Sequence, residues 1–481
     1  MTAHERASPD DLQRSALRAA RDHAGLTLED LWMRYFALGG DADLMDVDAH
    51  LAGLMALPVL QRDILAHAVN ERLDELIAQH RVPYSRVLRQ AAPTTGPLAA
   101  LVTLLDAAGS APPERLPTLA AAAGRALGVE VAVHLVDPEQ RQLIRMPTGD
   151  SPGGARQGVD STLAGRAFRT VQIFSSERDG SLWVPILDGA DRLGVMEVKP
   201  PSAEDLHDPA LRQQCRWLAS LLGHLIISME PYGDELERAR LRRARTPSAE
   251  LIWQQLPPLT AGTDAFVLAG MLEPSYDIGG DAFDYALSER LVSVAIFDAV
   301  GHGVRASLMA AAALAGYRSA RRDRRSVYDQ ARAIDDLVVG CFPGSAFVTG
   351  VLAELDVRSG RLRYVNAGHP RPLLLRNGRV VKELSGGRRI PFGLESEGLT
   401  VGEEVLQPGD WLALYTDGVT EARDEDGAEF GLDRLVDFVI RRDADALPAP
   451  ETLRRLIRTI LDHQHGHLQD DATVLLVEWE P

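Results

Sequence analysis

The sequence predicts a multidomain α/β protein with a helical N-terminal unit, an α+β middle domain and a larger, strand-rich C-terminal domain that carries the chemistry. Three observations lead there. At about 150 residues per domain, the 481 residues make room for about three domains. Apolar residues three and four apart dominate residues 1–90, then give way to β-branched runs. In the last part of the chain a strand repeatedly ends by delivering an Asp into a glycine-containing turn.

Composition excludes several classes of function. The 51 Lys+Arg against 69 Asp+Glu leave a net charge of −18, which repels phosphate backbones and anionic membranes alike, so no nucleic acid and no membrane surface is expected as partner. The 45% hydrophobic content supplies several cores. Cys215 and Cys341 match no metal or redox spacing, which points to a reduced, cytoplasmic setting. The opening Met1-Thr-Ala-His-Glu-Arg6 has no apolar core of a signal peptide. The longest apolar stretches, Leu218–Met229 and Leu308–Ala315, fall short of the ~20 residues of a membrane span. No internal repeat of a solenoid or propeller is present.

The elements follow in order. Residues 1–90 read as about three helices, with Leu28, Leu31, Tyr35 and Leu38 on one face and Leu65, Val69, Leu73 and Leu76 on another. Pro83 and the Ala-Ala-Pro-Thr-Thr-Gly-Pro run at 91–97 mark a boundary. The middle domain, 98–230, reads as a helix over 98–126, a strand Val129–Val136, a helix near Ala164–Phe168, strands Leu182–Leu187 and Leu193–Val198, and a long helix near 206–228. A charged connector, 231–258, holds a helix Pro247–Leu256 started by Thr246-Pro247. It is either a spacer or a relay between domains. Residues 260–481 alternate strand signals (Ala265–Leu272, Leu291–Phe297, Phe347–Asp356, Arg361–Asn366, Trp411–Tyr415, Thr473–Trp479) with helical ones at 303–320, 326–340, 431–442 and 451–463.

Four acidic features stand out in that last domain: Asp277-Ile-Gly-Gly-Asp281-Ala-Phe-Asp284, Asp298-Ala-Val-Gly-His-Gly303, Asp417-Gly418 and Asp470-Asp471. An Asp at the end of a buried strand is costly unless a positive group meets it. No Arg or Lys accompanies these in sequence, so a hard divalent cation is the natural partner. A sulfur-free, oxygen-rich set suits Mg²⁺ or Mn²⁺, and four converging carboxylates suit a two-metal site that activates water against a phosphoryl group. Any one Asp-Gly alone is commonly just a turn.

The segments Gly279–Asp284, Asp298–Gly303, Asn366-Ala-Gly-His-Pro370, Thr416-Asp-Gly-Val-Thr-Glu-Ala422 and Asp470-Asp-Ala-Thr473 occur in the order of the SpoIIE-like branch of the metal-dependent protein phosphatases, the protein phosphatase 2C superfamily. The resemblance spans 260–480. It implies an α-β-β-α sandwich with two Mn²⁺ or Mg²⁺ ions and hydrolysis of protein phosphoserine or phosphothreonine. By position it makes Asp281, Asp298, Asp417 and Asp470 metal ligands, gives the Ala299 carbonyl to one ion, and makes Asp284 and Asp471 groups that orient ligands or waters. Two departures appear. The general-acid His of the eukaryotic branch is replaced by Val300, with His302 two residues on as candidate acid, or a helix-start residue instead. The phosphate-clamping Arg of that branch has no match before Gly279.

The middle domain resembles a GAF sensor by element order and by Leu182-Trp-Val-Pro-Ile-Leu-Asp-Gly and Leu193-Gly-Val-Met-Glu-Val198, which implies a small-molecule ligand there. By resemblance the substrate is a phosphorylated anti-sigma-factor antagonist, dephosphorylated under sensor control. The rival expectation is a catalytically silent signalling scaffold. Leucines of the connector and of helix 206–228 suggest a homodimer. His463, His465 and His467 read as an exposed loop rather than a metal box, and His369 as part of a β-turn. The run Arg318–Arg325 reads as a solvated helix end or a docking patch for an acidic protein.

Overall fold

Capping chemistry written into the sequence sets the helices of the first part of the chain. The computed structural model describes residues 9–76, 95–149, 151–277, 279–344, 346–376, 378–394, 398–445, 448–466 and 468–480. The chain divides into two compact units, Met1–Pro93 and Thr94–Pro481. The first holds four helices among its described residues, α1 (Pro9–His23), α2 (Leu28–Ala37), α3 (Leu44–Ala52) and α4 (Val59–Leu76). Thr27 and Asp30 form a reciprocal capping box at the start of α2, and the Asp43 carboxylate caps α3. Leu31, Tyr35, Val47, Leu51, Leu65 and Val69 make the core. The boundary residue Pro83 lies outside the described residues, as does His467 further on.

The second unit begins with α5 (Pro97–Ala108) and α6 (Leu116–Leu127), so the single helix expected over 98–126 is two, broken at Gly109 and Pro112-Pro113. There follow β1 (Glu130–Val136), β2 (Gln142–Arg145), β3 (Arg156–Gly158), α7 (Leu163–Thr170), β4 (Phe174–Ser176), β5 (Ser181–Asp188), β6 (Asp191–Lys199) and α8 (Pro209–Met229). The strands form one antiparallel sheet in the order β3-β2-β1-β6-β5-β4. Alternation along the strands gives each face its own core. Val131, Val133, Leu135, Val184 and Ile186 pack with α5, α6 and α8, while Val136, Trp183 and Val195 pack with Phe168 of α7. The apolar positions of α8 that suggested a dimer, Leu211, Leu218, Leu222 and Ile226, are consumed in this core, as is Leu236 of the connector. The connector forms α9 (Glu235–Arg240) and α10 (Pro247–Trp253), the latter capped by the Thr246 hydroxyl on the Ala249 N–H.

The remaining strands are β7 (Thr260–Thr263), β8 (Phe266–Glu273), β9 (Asp281–Leu287), β10 (Leu291–Ala299), β11 (Val348–Asp356), β12 (Arg361–Ala367), β13 (Leu373–Arg376), β14 (Arg379–Glu383), β15 (Arg388–Arg389), β16 (Gly402–Val405), β17 (Asp410–Tyr415) and β18 (Ala472–Trp479). The helices are α11 (Val304–Arg322), α12 (Val327–Cys341), α13 (Asp417–Thr420), α14 (Gly431–Asp445) and α15 (Ala449–His463). Two sheets form, β15-β12-β11-β10-β9 with β16 on β12, and β14-β13-β17-β18-β8-β7. In β18, Leu475, Val477 and Trp479 face the other sheet, while Val474 and Leu476 face α14 and α15. With α11 and α12 covering the first sheet, the layers run helix, sheet, sheet, helix. Among the described residues no helix is long and apolar enough to cross a membrane.

Candidate metal centre

Antiparallel register places the first two carboxylates. Asp281 opens β9 and Asp298 lies directly opposite it in β10, so both side chains leave the sheet on the face turned to the second sheet. Like charges directly opposite each other are destabilising, and these two are poorly solvated: Asp281 is 2% exposed. Asp417 and Asp470 come from the second sheet, one just after β17 at the start of α13 and the other just before β18. Both are solvent-exposed.

Hydrogen bonds lock the buried member. Asp281 Oδ2 accepts from Thr416 Oγ1 at 2.8 Å and from Thr473 Oγ1 at 2.6 Å, and Thr416 Oγ1 also accepts from the Thr473 N–H at 3.0 Å. Thus the two residues that tie Asp281 to the second sheet are direct chain neighbours of Asp417 and near neighbours of Asp470. Asp471 Oδ2 accepts three successive backbone N–H groups, those of Gly279 (2.6 Å), Gly280 (2.9 Å) and Asp281 (3.3 Å). It therefore holds the loop that delivers Asp281. Gly280 is needed here because a Cβ would come within 2.4 Å of the Ala299 carbonyl oxygen. That carbonyl borders the same loop, and the Ala299 N–H donates to Gly280 O at 3.1 Å.

The electrostatics are those of an uncompensated anionic cluster. Burial, then the charges of Asp298 and Asp471, push Asp281 well above the ordinary Asp range. Burial, then Asp417, Asp470 and Asp471, push Asp298 up to about 7. Partial desolvation of the carboxylate by its neighbours, then the charge of Asp470, raise Asp417 as well. Asp471 rises to about 6 through burial, opposed by the three N–H donors. A divalent cation relieves all of these terms together, and an all-oxygen donor set suits Mg²⁺ or Mn²⁺. Among the described residues, no three His, Cys, Asp or Glu side chains stand already converged in a metal-holding group.

Other residues singled out in the sequence fall as follows. Asp284, expected to orient metal ligands, lies three positions beyond Asp281 and so on the opposite face of β9. Its carboxylate accepts from Arg318 Nη2 and Arg321 Nη1, each at 2.8 Å. The same contacts correct the reading of Arg318–Arg325 as a solvated end or docking patch, since two of its arginines turn inward. His302 is exposed and lines a cleft beside Asp470 and Asp471. It does not cap α11, whose N-cap is Gly303. His369 is buried, driven down to about 3 by burial and hence neutral, and sits in a turn closed by its own N–H on Asn366 Oδ1. His463 bonds Ala428 O at 3.0 Å and His465 lies beside Glu425, so these two do not converge.

The residues missed in sequence are the threonines. Thr416 and Thr473 bind Asp281, and Thr349 donates to Asp298 while lying 2.8 Å from His369 Nδ1. Their only sequence signal is adjacency to an Asp or a strand start.

A cleft of about 840 Å³ opens on this site. Its walls include Asp470, Asp471 and His302, Arg242 and Arg243 of the connector, and Glu139 and Arg141 of the β1–β2 turn.

Residues 288–480 match the family described as Stage II sporulation protein E (SpoIIE). The match takes in Asp298, Asp417, Asp470 and Asp471 and begins after Asp281. Protein IcfG of Synechocystis sp. (strain ATCC 27184 / PCC 6803 / Kazusa) is 24% identical over 274 residues, 51% of this chain and 42% of that protein. Phosphoserine phosphatase RsbU of Bacillus subtilis (strain 168) is 22% identical over 231 residues, 44% of this chain and 63% of that one. The chain thus spans less than two thirds of either relative. The SiaA-PP2C domain of Pseudomonas aeruginosa aligns over 44% of this chain and 86% of that structure, at 24% identity and a TM-score of 0.40.

Proposed function

We propose that residues 260–481 form a metal-dependent protein serine/threonine phosphatase acting on a phosphorylated regulatory protein of the anti-sigma-factor-antagonist type. The observation that carries this reading is the mutual repulsion among Asp281, Asp298, Asp417 and Asp470 at the ends of two facing sheets, which adds to desolvation in raising the first three above the ordinary Asp range. The similarity to a phosphoserine phosphatase agrees with it.

Two Mn²⁺ or Mg²⁺ ions, when bound, supply Lewis-acid polarisation of the phosphoryl oxygens and an acidified water. The chain's own residues do the rest. Asp281, Asp298, Asp417 and Asp470 hold the ions, with the Ala299 carbonyl as a further ligand. Asp471 keeps the 279–281 loop in place. His302, exposed on the cleft wall, is positioned to protonate the departing serine or threonine oxygen. The cleft is open and bounded by three parts of the chain, which suits a polypeptide segment better than a small ester.

The middle domain, on this reading, is a GAF-like sensor for a small ligand. Its link to the site runs through the connector. Arg240 Nε donates to Val136 O at 2.9 Å, Arg242 pairs with Glu139, and α10 packs on α11, the helix that follows Asp298.

The test is Mn²⁺-dependent hydrolysis of p-nitrophenyl phosphate by the full chain and by Asp298→Ala and Asp417→Ala. Activity that needs metal and falls to background in both variants supports the phosphatase. Metal binding without turnover, in the full chain and in residues 260–481 alone, supports a silent scaffold. That second reading draws on the absence of a preconverged ligand group among the described residues.

A further inference from the structure

A cluster of buried charge lies away from the carboxylate site, where α15 meets the middle domain. Glu451, in the first turn of α15, is fully buried. Its Oε2 accepts from Arg454 Nε at 2.8 Å and from Arg192 Nη1 of β6 at 3.5 Å; its Oε1 accepts from Arg454 Nη2 at 2.9 Å and Arg455 Nε at 3.0 Å. Arg454, itself 2% exposed, continues across to Asp160 in the loop before α7, at 2.5 Å, and to the Gln140 carbonyl at 3.4 Å. Arg458, one turn further along α15, also pairs with Asp160. On the middle-domain side Arg192 lies over the Phe168 ring of α7 at 4.7 Å.

Burying this many charges is expensive, and a cluster of this kind is weak evidence for stability, whereas breaking it by removing one partner is costly. What it supplies is one defined arrangement. The elements it joins are chosen accordingly. The β1–β2 turn, the loop at 159–162 and the start of β6 all belong to the face of the middle sheet that packs with α7. α15 lies on β8 and β18 through Leu453, Leu456, Ile457 and Ile460 and runs straight into the loop that ends at Asp470 and Asp471. That loop is tied back to the helix, since Gln464 Oε1 accepts from the Gln469 N–H at 3.3 Å and the Gly466 N–H donates to Leu461 O at 2.7 Å.

We infer that Glu451, Arg454 and Asp160 are positioning residues: they clamp α15 to the α7 face of the middle domain and thereby set the placement of Asp470 and Asp471. This is a second route from the middle domain to the site, separate from the connector, which reaches the α11 side instead. It rests on the reading of Asp470 as a cation ligand, and the experiment keeps the two apart.

The experiment uses the full chain and three variants: Asp160→Asn, which removes the middle domain's one carboxylate from the contacts described above at a partly exposed side chain; Asp160→Glu, which keeps the charge; and Glu451→Gln. Mn²⁺ binding is measured by calorimetry, and backbone amide hydrogen exchange is followed over 464–472, with β10 and β11 as internal reference. The expected result for Asp160→Asn and Glu451→Gln is Mn²⁺ binding weakened about fivefold to tenfold, within the range for residues that act on a site through a packed element. Exchange over 464–472 speeds up while β10 and β11 stay protected, and Asp160→Glu stays near wild type. Unchanged Mn²⁺ binding and unchanged exchange over 464–472 in Asp160→Asn overturn the inference. So does faster exchange spread evenly over β10 and β11, because that is a loss of general stability. If the wild type binds no Mn²⁺, the cation reading of the site fails by itself, and the exchange pattern alone decides the clamp.

Discussion

The two sheets of the C-terminal sandwich contribute to the site by different means. The first places Asp281 and Asp298 by strand register, directly opposite each other, the former buried and the latter half-buried. The second places Asp417 and Asp470 just beyond its strand ends, in solvent. One half is fixed before any ion arrives and carries the electrostatic strain. The other is held through local hydrogen bonds and adjusts at lower cost. The site thus combines a preorganised half with a compliant one.

That contrast is broken most decisively by pH. The folded-state Asp298 pKa is raised to about 7 from an ordinary value near 4. The metal-free fold therefore has its full stability from this group below about pH 4 and loses it as pH rises through 7. Asp298→Asn should remove the loss and stabilise the metal-free chain at pH 8 by on the order of 2–4 kcal/mol, read from urea unfolding. Asp470→Asn, in solvent, should stabilise by clearly less, because it relieves only part of the repulsion on Asp298 and Asp417. Equal effects from both would erase the distinction between the halves.

Next in size is Gly418→Ala. A Cβ there would lie 1.9 Å from the Asp471 carbonyl oxygen, so the backbone at 470–471 must move. We expect a loss of about 1–3 kcal/mol together with weaker Mn²⁺ binding. Thr473→Val keeps the shape but withdraws one donor from buried Asp281; it should cost about 1–3 kcal/mol and lower metal-dependent turnover without abolishing it. The smallest effect on the site belongs to Asp284→Asn. Its carboxylate serves Arg318 and Arg321 on the far face of β9, so Mn²⁺ binding should match wild type while the Tm falls. A shift in metal affinity would return Asp284 to the site.

Much of this was legible in the sequence, because the strong signals are local. Long strands such as Leu291–Ala299 and the helices flanking them follow from apolar pattern, and the Asp-Gly turns mark where strands release their carboxylates. The short strands Gln142–Arg145, Arg156–Gly158 and Phe174–Ser176 were not legible, since three or four residues hold no period. Nor was the face assignment of Asp284, which depends on where β9 starts: beginning the strand at Asp281 puts the second acid of the motif on the helix side. The threonines that bind Asp281 come from positions 135 and 192 residues away in the chain, and no spacing rule connects them. The Glu451 cluster likewise joins residues up to 314 positions apart, which pattern reading along the chain does not see.

The pairing of Asp284 with Arg318 and Arg321 has a mechanical consequence. It bolts the C-terminal third of α11 to its sheet, whereas the other end enters through Gly301 and Gly303, both with positive φ, and has no side-chain cap. α11 is thus fastened by ion pairs at one end and, at the end beside Asp298, by the Ser307 hydroxyl on the Gly279 carbonyl at 2.7 Å. A displacement along its length would be passed, past the arginine pair, to the loop that delivers Asp281.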